Sequence, residues 1–177
     1  MKSIITFLAF SVLAFGQNSK PEHKIGEKIQ GNFLGNGKKV TAFVIKTKEA
    51  TGNPIENGTP AEFEIRFSDA KLKPIKAGCC EIILINEGDL NDDGSDEISI
   101  YQAPMNGCTY TMTTYSFIKG NWIKIVQPFL IPTGCESISE KDLLNRVFKE
   151  NMAIYFLEKD MSTENGKLIK KKATTNH

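Results

Sequence analysis

The chain has 177 residues, of which 40% are hydrophobic, 9% aromatic and 24% charged. This is the composition of an ordinary soluble globular protein, and the length predicts a single domain. The 22 Lys and Arg residues nearly balance the 21 Asp and Glu residues, which leaves a formal net charge of +1. This balance argues against nucleic acid as a partner and against a highly charged disordered chain.

The N-terminus has the layout of a secretory signal peptide. Lys2 precedes an apolar run over residues 4–15, and Ala14 and Gly16 place small residues before a cut after position 16. The run of about 12 residues is too short for a membrane anchor, which needs about 20. We therefore predict a signal peptide over 1–16, export to the periplasm or the extracellular space, no membrane span, and a flexible polar arm over 17–27.

The remainder of the chain reads mainly as short strands. Residues 40–46 are rich in β-branched and aromatic side chains, and residues 62–67 alternate between apolar and charged side chains. Similar patterns predict strands over 82–85, 98–101, 110–118 and 122–126. One helix is predicted over 139–148, capped by Ser139, before a last hairpin of residues 152–157 and 167–173 around Asn165-Gly166. The expected fold is all-β and antiparallel, with one short helix in a single domain over 28–177.

The four cysteines are disulfide candidates in an exported protein, and four cysteines allow three pairings. Cys108 and Cys135 lie at similar sequence distances from a predicted hairpin turn at residues 119–121. Antiparallel pairing brings them together, so we predict a Cys108–Cys135 disulfide that closes a loop of about 28 residues and contributes about 3–4 kcal/mol. Cys79 and Cys80 remain as buried thiols, or one of them pairs elsewhere. A zinc site is a poorer fit, because the chain lacks Cys-x-x-Cys spacing and has two histidines.

Residues 89–97, D-L-N-D-D-G-S-D-E, have the spacing of a calcium loop. Side chains at loop positions one, three and five converge on one point, and a glycine at six turns the backbone carbonyl of position seven toward it. A carboxylate at position nine completes the oxygen shell. The predicted ligands of a structural Ca²⁺ are therefore Asp89, Asn91, Asp93, Ser95 and Glu97. The alternative is a solvated Asn/Asp/Gly turn.

The pattern D-x-N-x-D-G-x-x-E running into a strand resembles the calcium loop of FG-GAP and VCBS repeats, the blades of integrin-type β-propellers. An EF-hand fits less well, because position twelve is Ile100 and strand residues follow. The sequence departs from the FG-GAP pattern where Glu97 and Asn91 replace aspartates. Since the chain is too short for a seven-bladed propeller, the resemblance implies two or three blade-like sheets. The chain is also similar, more loosely, to small exported bacterial proteins of unassigned activity.

A second, eroded copy of this loop precedes it. Residues 31–39 align with residues 88–96 at an offset of 57 positions, so that Gly31 meets Gly88 and Gly37 meets Gly94. Asn32, Leu34, Asn36 and Lys39 replace residues that could supply oxygen ligands or acidic charge. We predict two pseudo-repeats, about 31–87 and 88–135, of which the first keeps the turn and lacks the metal.

Catalysis is the less favoured class of function. His23 lies in the polar arm and His177 ends the sequence, and no Gly-x-Ser-x-Gly, His-Glu-x-x-His or phosphate-loop motif is present. The expected function is an exported, calcium-stabilised β module that binds a protein or glycan or acts in the cell envelope. The alternative is a small secreted hydrolase with structural calcium, using carboxylates from Glu62, Glu64, Glu81 and Glu87. Five aromatic residues could form a binding face, although core packing is favoured: Tyr101, Tyr110, Tyr115, Phe117 and Trp122.

Overall fold

A computed structural model describes residues 24–53, 56–163 and 166–174. The predicted signal peptide, residues 17–23 of the predicted arm and Asn165 of the predicted turn lie outside these ranges. The described residues form twelve strands and one short helix. These are, in chain order, β1 (Ile25–Gly26), β2 (Lys28–Gly31), β3 (Val40–Lys48), β4 (Glu62–Phe67), β5 (Ile75–Gly78), β6 (Ile82–Gly88), β7 (Glu97–Gln102), β8 (Thr109–Ile118), β9 (Asn121–Pro132), α1 (Glu140–Leu144), β10 (Val147–Glu150), β11 (Ala153–Lys159) and β12 (Leu168–Lys172).

The strands form three antiparallel sheets, which confirms the predicted all-β class with one short helix. The sheet orders are β2-β3-β4-β5, β1-β6-β7-β8-β9 and β10-β11-β12. The first two sheets each contain four consecutive strands joined as a meander. In each meander the polar loop of the sequence alignment joins the first strand to the second, β2 to β3 and β6 to β7.

Three predicted boundaries are wrong. The helix spans Glu140–Leu144, not 139–148, although Ser139 does cap it by accepting a hydrogen bond from the Asp142 backbone N–H at 3.1 Å. Residues 147–150 instead form β10 and pair with β11. The predicted arm ends earlier than expected, because Ile25 and Gly26 pair with Ile85 and Leu84 of β6.

Two hydrophobic cores lie on opposite faces of the five-stranded sheet. Ile98 and Ile100 of β7 pack in one core with residues of the four-stranded sheet. Tyr101 belongs to the other core, together with Leu143 of the helix and Ile154 of β11. This alternation along β7 follows the two-residue period of a strand. The sheet is therefore covered on both faces, which explains the continuous aliphatic run at residues 82–85 of β6.

The five aromatic residues considered as a binding face divide between the two cores. Phe117 and Trp122 pack at 5.1 Å between ring centroids, in the same core as Tyr115. Tyr101 and Tyr110 stack on the opposite side of the sheet at 4.7 Å. They therefore do not form one exposed aromatic face.

The structure places Cys108 and Cys135 in a disulfide with a Cα–Cα distance of 4.9 Å. This pairing corresponds to the one derived from the hairpin spacing. Cys79 and Cys80 are bonded to each other, so neither is a buried thiol or pairs elsewhere as predicted. Within the described ranges, no helix combines the length and the apolar character needed to cross a membrane.

Candidate functional site

The loop from Asp89 to Asp96 joins β6 to β7 across an irregular pairing. Gly88 pairs with Glu97 and Asn86 with Ile98, so Glu87 sits in a bulge between them. A bulge bends its strand and changes the direction of the side chain it carries. The two strands therefore bring Glu87 and Glu97 to the base of the loop.

Side-chain oxygens within this loop accept hydrogen bonds from its backbone N–H groups. Gly94 N donates to Asp89 Oδ2 at 3.0 Å, and Ser95 N donates to Asp93 Oδ1 at 2.8 Å. Asp93 N donates to Asn91 Oδ1 at 2.9 Å. Gly94 has a φ of 87°, a conformation that glycine adopts without steric cost. Positions one, three, five and six thus form the turn that the spacing predicts.

Glu97 is fully buried at the ninth loop position. Its Oε2 accepts a hydrogen bond from Leu90 N at 2.6 Å, whereas its Oε1 is buried without a hydrogen-bond partner. Burial raises the pKa of Glu97 to about 7. The hydrogen bond from Leu90 and the nearby Ser116 hydroxyl oppose this rise, and the charges of Asp93 and Asp89 add to it. A buried carboxylate oxygen with no partner costs free energy unless a proton or a cation reaches it.

Glu87 is a second carboxylate at the base of the loop, and it also has a buried Oε1 without a hydrogen-bond partner. Burial raises its pKa to about 8, a hydrogen bond from Ser99 opposes this rise, and the charge of Glu97 adds to it. Glu87 was considered only for the alternative hydrolase, and no sequence pattern predicted its place beside Glu97. Neighbouring buried carboxylates disfavour each other's ionised form.

Asp93 has the opposite electrostatic setting. Partial burial raises its pKa, but hydrogen bonds from Ser95, Asn91 and Ser116 outweigh burial and hold the pKa of Asp93 below its ordinary value. Asn91 Nδ2 donates to Asp93 Oδ2 at 2.9 Å and to Ser116 Oγ at 3.1 Å. The loop therefore keeps an ionised carboxylate near Glu97.

The remaining two carboxylates of the loop make structural contacts. Asp92, with a φ of 61°, forms an ion pair with Lys149 of β10. Asp96 Oδ2 accepts hydrogen bonds from Asn32 N at 2.8 Å and Asn86 Nδ2 at 3.0 Å. These contacts tie the loop to the first and third sheets.

The predicted ligands share one loop, but they are not drawn together as a formed metal cluster. Among the residues described, no group of three or more His, Cys, Asp and Glu side chains is arranged to hold a metal ion. Asp89 and Asp93 each use an oxygen to accept N–H groups within the loop. The Oδ2 of Asp93 also accepts a hydrogen bond, from Asn91 Nδ2 at 2.9 Å, so a cation at this oxygen would replace that bond.

The upstream loop, residues 32–40, has two of these hydrogen bonds at corresponding positions. Gly37 N donates to Asn32 Oδ1 at 2.9 Å, and Lys38 N donates to Asn36 Oδ1 at 3.0 Å. Gly35 and Gly37 have positive φ values of 64° and 75°, matching Asp92 and Gly94. The position that corresponds to Glu97 is Val40, which is 4% exposed. The two loops thus share a backbone conformation and differ in the side chain buried at position nine.

The two loops also contact each other, which sequence reasoning did not predict. Asn32 Nδ2 donates to the Gly94 carbonyl at 2.9 Å, and Asp96 N donates to the Asn32 carbonyl at 3.1 Å. A Cβ built on Gly35 would contact Gly94 O at 3.5 Å. The loops therefore form the junction between the first two sheets.

The carboxylates considered for a hydrolase do not meet. Glu62 pairs with Lys48 at 3.2 Å and Glu64 with Arg66 at 3.0 Å, both on the first sheet. Glu81 precedes β6 and lines a different cavity, while Glu87 lies at the base of the calcium-type loop. The structure therefore does not bring these four carboxylates together as one site.

Comparison with known proteins gives no match to a family model, to a curated protein or to a solved structure.

Proposed function

We propose that the protein is an exported β module whose loop at residues 89–97 binds a structural Ca²⁺. The supporting observation is the fully buried Glu97, whose Oε1 has no hydrogen-bond partner. The upstream loop forms the same turn with Val40 at that position, so the turn itself does not require a buried carboxylate. A buried carboxylate that the turn does not need is best explained by a cation.

The residues present fit calcium chemistry. The ligands would be carboxylates of Asp89, Asp93 and Glu97, the side-chain oxygen of Asn91 and the carbonyl of Ser95. Calcium accepts six to eight oxygen ligands in a flexible shell, and this set is all oxygen. The module would gain rigidity at the start of β7, and its affinity would lie in the extracellular range of about 10⁻⁴–10⁻³ M.

The biological role that we propose is binding of a protein or glycan, or support of the cell envelope. This role accords with the FG-GAP-like pattern and with the predicted signal peptide over residues 1–16. The alternative, a small carboxylate hydrolase, has one observation in its favour, because Glu81 and Glu136 line one cavity. Both are exposed, whereas a general acid at neutral pH usually sits in an apolar environment. Glycoside hydrolysis that disappears in Glu81→Gln would favour the hydrolase.

The test is a thermal melt of the protein without residues 1–16, in 10 mM CaCl₂ and in EDTA. For the affinity range above, calcium should raise Tm by roughly 3–10 °C. Asp93→Ala should abolish the shift, because it removes an ionised oxygen donor. Asn36→Ala is the matched control at the corresponding position of the upstream loop and should keep it. MgCl₂ at equal concentration controls for ionic strength. An absent shift in the wild type, or an equal shift in Asp93→Ala, would contradict the proposal.

A further inference from the structure

A cavity of about 230 Å³ lies at the other end of β7 from the calcium-type loop. Its lining comes from β6, β7, β8, the helix and the segment after β9. Glu97 and Tyr101 lie on the same face of β7, and a strand places residues four apart about 13 Å from each other. The cavity is therefore separate from the loop described above.

Two tyrosine rings form an aromatic wall of this cavity. Tyr101 and Tyr110 stack with their centroids 4.7 Å apart and their planes 6° from parallel. Tyr101 is buried and Tyr110 is half-buried. Burial, together with the neighbouring Tyr110, raises the pKa of Tyr101 to about 12, so its phenol is neutral at neutral pH. The stacked pair thus offers an aromatic surface to a ligand.

Two glutamates complete the lining, and each directly follows a disulfide-bonded cysteine. Glu81 follows Cys80, and Glu136 follows Cys135. Thr133 further ties the second segment to β8, because its backbone N and its Oγ1 both donate to the Cys108 carbonyl, at 2.9 and 3.1 Å. The Cys108–Cys135 bridge therefore ties the segment that carries Glu136 covalently to the segment before β8, which reduces the entropy lost when a ligand binds.

The charge of the cavity selects the chemistry of its ligand. No lysine, arginine or histidine of the described residues lines it. Arg146 interacts electrostatically with Tyr101, but it does not line the cavity, and its Nη1 donates to the Leu157 carbonyl at 3.2 Å. Two carboxylates without a lining base repel an anion and attract a cation.

The volume limits the size of that cation. It is below the 300–1,000 Å³ usual for drug-sized ligands. A four-carbon chain with one ammonium group fits this space. The methylenes can pack on the tyrosine rings, and a cation near an aromatic face gains about 0.5–1 kcal/mol at exposed sites.

We propose that this cavity binds an alkylammonium group, recognised by the carboxylates of Glu81 and Glu136 and by the ring of Tyr110. The group belongs to a small free amine or to a lysine side chain of a bound peptide. The site gives the module a ligand chemistry that its calcium-type loop does not supply.

The test is an NMR titration of the protein with n-butylammonium, using n-butanol as the neutral isostere and butyrate as the anion. Butylammonium should bind with a millimolar Kd and shift the Tyr101 and Tyr110 resonances, whereas butanol should bind at least fivefold more weakly. The double variant Glu81→Gln/Glu136→Gln should weaken butylammonium binding about tenfold. Glu49→Gln, which changes an exposed glutamate just after β3, should leave it unchanged.

The aromatic contact is tested separately. Tyr110→Phe should keep the affinity within about twofold, because the ring remains, and Tyr110→Leu should reduce it about threefold. Binding of N-acetyl-lysine methylamide at least tenfold tighter than butylammonium would assign the site to a peptide lysine, and equal affinity would assign it to a free amine. Equal binding of butanol and butylammonium, or full affinity in the double glutamine variant, would overturn the proposal.

Discussion

The loops at residues 32–40 and 89–97 follow the same path and bury different side chains at the ninth position. In both loops a hydrogen bond closes the turn, from the N–H of a glycine with positive φ to a side-chain oxygen five residues earlier. Gly37 donates to Asn32 in the first loop, and Gly94 donates to Asp89 in the second. At position nine the first loop buries Val40 and the second buries Glu97. Because the first loop forms the turn with an apolar residue at this position, the turn does not require a carboxylate. Burying Glu97 therefore costs free energy that the conformation of the loop does not explain. The comparison separates the geometry of the loop from its chemistry.

Transferring the glutamate to the first loop should have the largest effect. Val40→Glu would bury a carboxylate in the apolar core that contains Ile29 and Phe33, and residues 32–40 include no acidic side chain. We expect a loss of about 4 kcal/mol in unfolding free energy, measured by urea denaturation at pH 8. Calcium should not restore it. Val40→Thr keeps the branched shape without charge and should cost less than half as much. Recovery of the lost stability by calcium would show that the first loop needs only one carboxylate to bind the ion.

For each buried carboxylate, the pH dependence of stability should follow next in size. The pKa values of Glu97 and Glu87 in the folded protein are about 7 and about 8, both above the ordinary 4.5. The folded state therefore binds more protons than the unfolded state, and stability is highest at low pH and falls as pH rises through these values. Between pH 5 and pH 8 in EDTA, each of the two groups should lower the unfolding free energy by roughly 3 kcal/mol. Saturating calcium should reduce this fall, and a stability that rises over the interval would contradict the burial described for both groups.

Neutralising the ninth position of the second loop should have a smaller effect of the opposite sign. Glu97→Gln keeps an oxygen for the Leu90 N–H and removes the buried charge. In EDTA at pH 8 it should raise the unfolding free energy by about 2 kcal/mol, and it should abolish the calcium-induced rise in Tm. Glu56→Gln, at an exposed glutamate, should change neither quantity. A destabilised Glu97→Gln protein in EDTA would mean that the carboxylate contributes to the turn itself.

Exchanging the fourth position between the loops should have the smallest effect. Asp92 has a φ of 61°, and its counterpart Gly35 has a φ of 64°. Asp92→Gly would relieve the strain of a side chain in this region and remove the ion pair with Lys149. We expect a net gain near 0.5 kcal/mol by urea denaturation. Lys149→Gln removes the ion pair alone and should lower the unfolding free energy by a similar small amount. If Asp92→Gly lowered the unfolding free energy instead, the ion pair with Lys149 would contribute more to anchoring the loop than the strain at Asp92 costs.

The sequence predicted the strands that carry a clear two-residue period, and it missed the shortest ones. The alternation over 62–67 gave β4 its bounds, because one face of that strand packs in the core. β10 was missed because Leu143, Leu144 and Val147 mimic the spacing of one continuous helix, whereas the helix ends at Leu144. β1 and β5 contain too few residues for a period to be seen.

The positions of the loop residues could be predicted from the sequence, whereas the burial of the carboxylates at its base could not. Positions one to nine of the second loop follow from the local sequence, because the turn is made by neighbouring residues. The burial of Glu97 and of the Glu87 oxygen depends on the bulge in β6 and on packing around the loop. The cavity beside Tyr101 combines segments that are distant in sequence, from Glu81 to Leu143, and no local pattern joins them.

The hydrogen bonds from Asn32 to Asp96 and Gly94 also bear on how fast the molecule folds and unfolds. Each meander pairs strands that are neighbours in sequence, whereas this junction joins residues 64 and 62 positions apart. Closing so long a segment has a high entropy cost, so the junction should form late, after the meanders, and lie mostly beyond the transition state. An interaction absent from the transition state slows unfolding and leaves the folding rate nearly unchanged. A cation held at residues 89–97 should therefore lengthen the lifetime of the folded state more than it accelerates its formation.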